Sequence, residues 1–117
     1  MQNIFITRRH SGYVDTFKEI YPHCNIYLTD SKLRSDEEPI YPADLSIILC
    51  NDPGSDRETT SDWLNRITSQ IRKNSKRVIV LLYIIQPKLD YEIGNMKVIC
   101  IRETISDNQE IIKQKLL

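Results

Sequence analysis

The chain has few of the residues that loosen or cross-link a polypeptide. Among its 117 residues are three glycines and five prolines, too few for flexible linkers, low-complexity tails or repeats. Its three cysteines form no C-x-x-C pair, which excludes the usual spacing of zinc and redox sites. Because a free cysteine packs as a small apolar side chain, we expect Cys24, Cys50 and Cys100 to be buried and reduced.

The chain also lacks net charge and long apolar runs. Its 16 basic and 16 acidic residues cancel, so no overall field attracts nucleic acid or an acidic membrane. No apolar stretch reaches the roughly 18 residues of a membrane-spanning helix, and the first residues lack the pattern of a signal peptide. We therefore expect one cytoplasmic domain over residues 1–117 that binds neither nucleic acid nor membrane.

What the sequence does contain is short apolar runs that alternate with amphipathic segments. Two runs, LSIILC and RVIVLLYII, are almost wholly apolar, which indicates strands covered on both faces. Five strands are predicted: Asn3–Thr7, Asn25–Thr29, Leu45–Cys50, Arg77–Ile85 and Lys97–Ile101. The charged segment from Asp30 to Asp44 and the stretch between the last two strands are predicted to be irregular.

Three segments carry apolar residues at helical spacing. The first runs from Ser11 to Tyr21. The second begins at a cap, Thr60 or Ser61, and ends near Asn74. The third begins at the capping box of Ser106. The resulting order, βαββαββα, predicts a three-layer α/β domain of Rossmann-like or flavodoxin-like type with a mostly parallel five-stranded sheet.

In such a sheet, ligands bind outside the carboxyl ends of the strands. The loops 8–12, 30–36 and 51–58 are predicted to converge there. In the first loop, Arg8, Arg9 and Ser11 precede a helix, an arrangement suited to phosphate. Two interpretations stay open for the acids of the other loops. In the first, Asp30 and Asp52 neutralise the arginines. In the second, Asp52 contacts a ribose.

No complete catalytic or nucleotide motif accompanies this loop. The sequence TRRHSGYVDT has one glycine and no lysine, so it is not a Walker loop, and no G-x-G-x-x-G follows the first strand. Asp52 lies two residues beyond the position of a receiver-domain phosphoacceptor. His10 and His23 have no third residue at metal-ligand spacing. We therefore expect no metal and no resident cofactor.

The segment IFITRRHSGYVDTFKEIY resembles the first box of bacterial TIR domains. LSIILCND resembles the third strand of that family, and SDWLNRITSQIRKNSKRVIVLL resembles its tryptophan-containing helix and the strand after it. The resemblance implies a flavodoxin-like fold, self-assembly and, for many members, cleavage of NAD with a glutamate. In the first box the matching residues are Phe5, Ile6, Thr7, Arg8, Arg9, Ser11, Gly12 and Tyr13.

Two departures limit what the resemblance implies. The residues after Trp63, LNRITSQIRK, contain no acid, and without a carboxylate the charge that develops during NAD cleavage is not stabilised. Glu58 is the nearest substitute, but it precedes the helix. The segment SKLRSDEEPIYPAD is also too short and too rich in proline for the long loop and helix of the family. The resemblance therefore implies a trimmed, non-catalytic relative.

These observations favour a small signalling or regulatory module that acts through a protein partner or self-association. Tyr41, Tyr83 and Tyr91 are the aromatic residues that could anchor a partner. The first alternative is an enzyme or sensor of NAD or another nucleotide, with Arg8, Arg9 and Ser11 at the phosphate and Glu58 or Asp52 at the ribose. The second is a degenerate small-GTPase-like domain, for which an antiparallel edge strand is expected. It is based on the strand and helix layout of the segment ADLSIILCNDPGSDRETTSDWLNRI.

Overall fold

The computed structural model describes residues 1–30, 33, 42–53, 57–84, 89–102 and 109–116. These residues form six strands, four α-helices and one 3₁₀ helix, Arg8–Tyr13. The strands are β1 (Gln2–Thr7), β2 (Asn25–Thr29), β3 (Ala43–Asn51), β4 (Ser75–Ile84), β5 (Tyr91–Ile93) and β6 (Met96–Arg102). The α-helices are α1 (Val14–Ile20), α2 (Thr60–Ile67), α3 (Ser69–Lys73) and α4 (Gln109–Leu116).

The strands form one sheet in the order β2-β1-β3-β4-β6-β5. Neighbours among the first five are parallel, and β5 pairs antiparallel with β6. Counted alone, the five parallel strands have the flavodoxin-like order. Because β1 lies between β2 and β3, with Thr7 opposite Thr29 and Ile6 opposite Leu49, these three strands end side by side.

Helices cover both faces of the sheet. Trp63, Leu64 and Ile71 of α2 and α3 belong to the apolar cluster on one face. Phe17 of α1 and Ile112 of α4 belong to the cluster on the other face. The strands between them are buried on both sides, as their continuous apolar runs predict. The three-layer α/β architecture is thus confirmed.

The expected strand count and element order are wrong. The sheet has six strands, because the stretch predicted to be irregular contains β5. This strand has only three residues, none of them fully buried, so no apolar run reveals it. It forms a hairpin with β6 around Gly94, whose φ is +58°. An antiparallel edge strand is the feature expected of the GTPase-like alternative; here it extends the sheet beyond the last parallel strand.

The helices also differ from their predicted bounds. RRHSGY forms the 3₁₀ helix, so α1 starts later than predicted. The second predicted helix is divided at Thr68, whose hydroxyl donates to the Leu64 carbonyl oxygen at 2.6 Å. Its cap is Thr59, which accepts from the Asp62 backbone N–H, and not Thr60 or Ser61. Ser106 lies outside the described residues.

The thiols are less uniformly buried than predicted. All three cysteines are free, but only Cys50 is buried, while Cys24 and Cys100 are half-buried. None of the helices described here is long and apolar enough to cross a membrane.

Candidate functional site

A cavity of about 240 Å³ opens at the carboxyl ends of β1, β2 and β3. It lies at the point where the order of the parallel strands reverses, between β1 and β3, and this is where open α/β sheets bind their ligands. We call it the switch-point cavity. Its walls are Thr7, Arg8, Arg9, Thr29, Asp30, Asn51, Asp52, Pro53 and Trp63. The described residues of the predicted loops, 8–9, 30 and 51–53, therefore meet around one cavity, because β2, β1 and β3 are neighbours in the sheet.

The basic wall comes from the turn after β1. Arg8 and Arg9 are the first residues of the 3₁₀ helix, and both side chains are exposed at the cavity mouth. Guanidinium groups present several fixed donors to an anionic oxygen, and they keep their charge at all relevant pH values. This wall can therefore hold a phosphate or carboxylate group.

His10 fixes the position of this turn. Its ring stacks on that of Tyr83 at the end of β4, with centroids 4.6 Å apart and planes 15° apart. Its Nε2 donates to Oδ1 of Asn51, the last residue of β3. The turn that carries both arginines is thus attached to the ends of two central strands. His10 has a positioning role here, and His23 is exposed.

The acidic wall comes from the ends of β2 and β3. The Asp52 carboxylate is half-buried and accepts from the Thr60 hydroxyl, whose Oγ1 lies 3.2 Å from each carboxylate oxygen. Its backbone N–H donates to the Tyr83 carbonyl oxygen at 2.9 Å. Asp30 is exposed at the end of β2. Arg8, Asp30 and Asp52 each interact with another residue, so the two walls contain partnered charges around an open space.

Two threonine hydroxyls lie at the inner end of the cavity. Thr7 is 7% exposed and Thr29 is 0% exposed, and both line the cavity. Within the part of the chain that the structure describes, neither Oγ1 has a hydrogen-bond partner. A buried hydroxyl left without a partner costs about 1–3 kcal/mol. Two such hydroxyls at one register position can therefore accept a further hydrogen-bonding partner, a water molecule or a ligand group.

Trp63 closes the side of the cavity that faces α2. It is 7% exposed and packs in the same apolar cluster as Phe5 and Tyr27, whose rings stack with centroids 5.1 Å apart. The sequence places Trp63 only on the apolar stripe of a helix. Its place in the same cavity lining as the arginines depends on how α2 packs on the sheet.

Two of the predicted site residues lie elsewhere. Ser11 is exposed in the 3₁₀ helix and does not line the cavity. Glu58 is also outside the lining and pairs with Arg66 of α2 at 2.5 Å. This hydrogen bond and the Glu58 charge raise the pKa of the Arg66 guanidinium. Glu58 therefore pairs with α2, the helix that follows it, and is not part of the cavity wall where it was expected to act at a ribose.

Thr7 and Thr29 were missed as site residues, although a signal for them exists. The strands NIFIT and NIYLT share one pattern, in which an asparagine comes first and a threonine last. In the sheet these strands are adjacent and in register, with Asn3 opposite Asn25 and Thr7 opposite Thr29. The pattern places two hydroxyls together at the carboxyl edge.

The lining contains no set of metal ligands. Among the residues described, no group of three or more His, Cys, Asp or Glu side chains is close enough together to hold a metal ion. Comparison of the chain with protein family models, curated proteins and solved structures found no match. A functional proposal must therefore come from the geometry of the cavity.

Proposed function

We propose that the chain is a sensor or regulatory module that binds a small phosphorylated ligand of the nucleotide class in the switch-point cavity. The observation that carries this proposal is the position of Arg8 and Arg9 in the wall of an open cavity at the carboxyl edge of a parallel sheet. Guanidinium groups bind phosphate oxygens through short, charge-assisted hydrogen bonds. The cavity stays open although Arg8, Asp30 and Asp52 have partners, which favours a ligand over simple neutralisation.

The size of the cavity limits the ligand. Its volume of about 240 Å³ is below the range of about 300–1,000 Å³ that holds drug-sized ligands. A sugar phosphate, or the sugar and phosphate of a mononucleotide, is therefore the upper limit for full enclosure. NAD, the alternative cofactor, would place at most the sugar and phosphate of one half inside and leave the rest in solvent.

The proposal concerns binding and includes no chemical step. The carboxylates in the wall are Asp30 and Asp52, whereas Glu58 is held by Arg66. A TIR-type cleavage of NAD by Glu58 would require that ion pair to open and the side chain to move.

Action through a protein partner or by self-association stays a prediction. The aromatic anchors suggested for it have little exposed surface, since Tyr83 is buried and Tyr91 is half-buried. Tyr41 lies outside the described residues.

The test is thermal denaturation with a panel of adenosine monophosphate, adenosine diphosphate, NAD and inorganic phosphate. We expect at least one nucleotide to raise the Tm of the wild-type chain, because a ligand that binds only the folded state stabilises it. Arg9→Ala should weaken that ligand about 10- to 100-fold, the usual value of a charged hydrogen bond.

Arg77→Ala is the matched control, since Arg77 is exposed near the amino end of β4, away from the cavity. It should retain the wild-type shift. The absence of a shift with every compound, or an equal loss in Arg9→Ala and Arg77→Ala, would contradict the proposal.

A further inference from the structure

The buried threonine pair indicates which part of a ligand enters the cavity. Thr7 and Thr29 are directly opposite each other on neighbouring strands, about 4.8 Å apart in the hydrogen-bonding direction. Since Phe5 and Tyr27, two residues earlier, stack on the face that Trp63 covers, the threonines lie on that face as well. Both Oγ1 atoms lack a partner among the described residues.

A neutral hydroxyl can both donate to a ligand and accept from it, whereas a guanidinium ion only donates. A threonine hydroxyl donates one hydrogen bond and accepts others, so it pairs well with a neutral group that does the same, above all another hydroxyl. A phosphate offers acceptors only, and its charge is better compensated by Arg8 and Arg9 at the mouth. The cavity therefore has an anion-binding mouth and a hydroxyl-binding inner end.

The position of Asp52 in the cavity wall agrees with this division into an anion-binding part and a hydroxyl-binding part. Asp52 accepts hydrogen bonds only, and Thr60 holds its carboxylate in place. It repels a phosphate but accepts from a sugar hydroxyl, as acids at the ends of strands do in dinucleotide-binding folds. Trp63 supplies an apolar surface for the carbon side of a sugar ring.

We propose that the switch-point cavity is specific for a pentose phosphate with free neighbouring hydroxyls. The sugar hydroxyls bind Thr7 and Thr29, and the phosphate binds Arg8 and Arg9. This inference rests on the proposed function and adds the part of the ligand that is recognised. The pentose phosphate can be a free sugar phosphate or the ribose and phosphate of a nucleotide. The cavity volume of about 240 Å³ limits the enclosed part of the ligand to a group of this small size in both cases.

The test measures the Kd of ribose 5-phosphate, 2-deoxyribose 5-phosphate, adenosine monophosphate, its 2′-deoxy analogue and inorganic phosphate by calorimetry. The wild-type chain should prefer each ribose compound to its deoxy analogue by about tenfold, the value of one hydrogen bond. The free sugar phosphate and the nucleotide distinguish the two sources of the ligand.

Thr7→Val and Thr29→Val replace the hydroxyls with groups of the same shape. In both variants we expect the ribose preference to disappear. Because an unpartnered buried hydroxyl is removed, we also expect the Tm of the ligand-free protein to stay equal or rise. Thr29→Ser keeps the hydroxyl and should keep the preference. A purely structural threonine would show the opposite combination, a lower Tm and unchanged preference.

The outcomes separate this inference from the proposed function. If the wild-type chain binds ribose and deoxyribose compounds equally, and Arg9→Ala weakens both, the phosphate site stands and the ribose inference is overturned. If no compound binds the wild-type chain, both are overturned. An unchanged ribose preference in Thr7→Val and Thr29→Val overturns the assignment to these hydroxyls.

Discussion

At the scale of single residues, Cys50 shows how strongly the interior below the cavity excludes charge. It directly precedes Asn51, Asp52 and Pro53, the three residues that β3 and its following turn contribute to the lining. Burial, and to a lesser degree the charge of Asp52, raises the pKa of its thiol from 9.0 to about 12. Cys50 is therefore a neutral core residue at physiological pH, with no reactive thiolate.

This pKa leads to a prediction about stability in alkali. The thiol ionises in the unfolded chain near pH 9 and in the folded protein only near pH 12. Its contribution to the free energy of unfolding is therefore constant below about pH 9. Above that it falls by at most about 1.4 kcal/mol per pH unit until the folded thiol also ionises. Urea denaturation at pH 8, 9.5 and 10.5 measures this loss.

Cys50→Ala removes the titrating group and should flatten the decline, whatever its effect at pH 8. Cys24→Ala is the control, because Cys24 is only half-buried, and it should keep most of the wild-type slope. Parallel declines in wild type and Cys50→Ala would show that other groups account for the alkaline loss.

The site was predictable from sequence in its location and only partly in its chemistry. Arg8, Arg9, Asp30 and Asp52 could be brought together because parallel strands end at a common edge. The sequence placed Thr7 only in the TIR-like box and not in the site. Because threonine is common in strands, its presence at the end of one gives no signal of a binding site. The place of Thr7 in the cavity wall depends on register and burial, which the sequence of a single strand does not contain.

At the scale of elements, continuous apolar runs were the reliable signal. Each of the five predicted strands has a counterpart in the sheet. The two almost wholly apolar runs, LSIILC and RVIVLLYII, form the central strands β3 and β4, where both faces of a strand are covered. The strand β5 and the break at Thr68 were not predictable in this way. β5 depends on a hairpin partner for its stability, and the break depends on one hydroxyl that competes for a helical carbonyl, an effect typical of threonine within helices.

The hairpin can be tested at Gly94. Its positive φ disfavours any residue with a Cβ, and a Cβ here would lie 2.8 Å from Nη2 of Arg72. Gly94→Ala should lower the free energy of unfolding by about 1–2 kcal/mol, measured by urea denaturation. Gly12→Ala is the matched control, because a Cβ at Gly12 meets nothing within 4 Å, and it should cause little loss. Equal effects would mean that the turn at Gly94 is not under this constraint.

At the scale of the whole molecule, one sheet joins two separate apolar clusters. Each cluster contains residues of the central strands and of the helices that cover them. Leu64 of α2 belongs to one cluster, and Ile112 of α4 belongs to the other. A strand that leaves the sheet would expose both clusters at once. The domain should therefore unfold cooperatively, in a single transition.

Substitution on either face tests this cooperativity. Leu64 and Ile112 are both 0% exposed, so Leu64→Ala and Ile112→Ala should each cost about 2–5 kcal/mol. Leu89→Ala is the control, since Leu89 is 91% exposed, and it should change stability by less than about 0.5 kcal/mol. Far-UV circular dichroism should show one transition in every variant. A separate early melting of part of the helical signal after either core substitution would contradict the prediction.

The position of Trp63 has a practical consequence. It is the one tryptophan of the chain, and it forms part of the cavity wall between the sheet and α2. The emission of an indole changes in wavelength and intensity with the polarity of its surroundings. The unlabelled protein thus carries an optical reporter at the place where a ligand would replace water, and stopped-flow mixing could follow the rates of entry and exit directly.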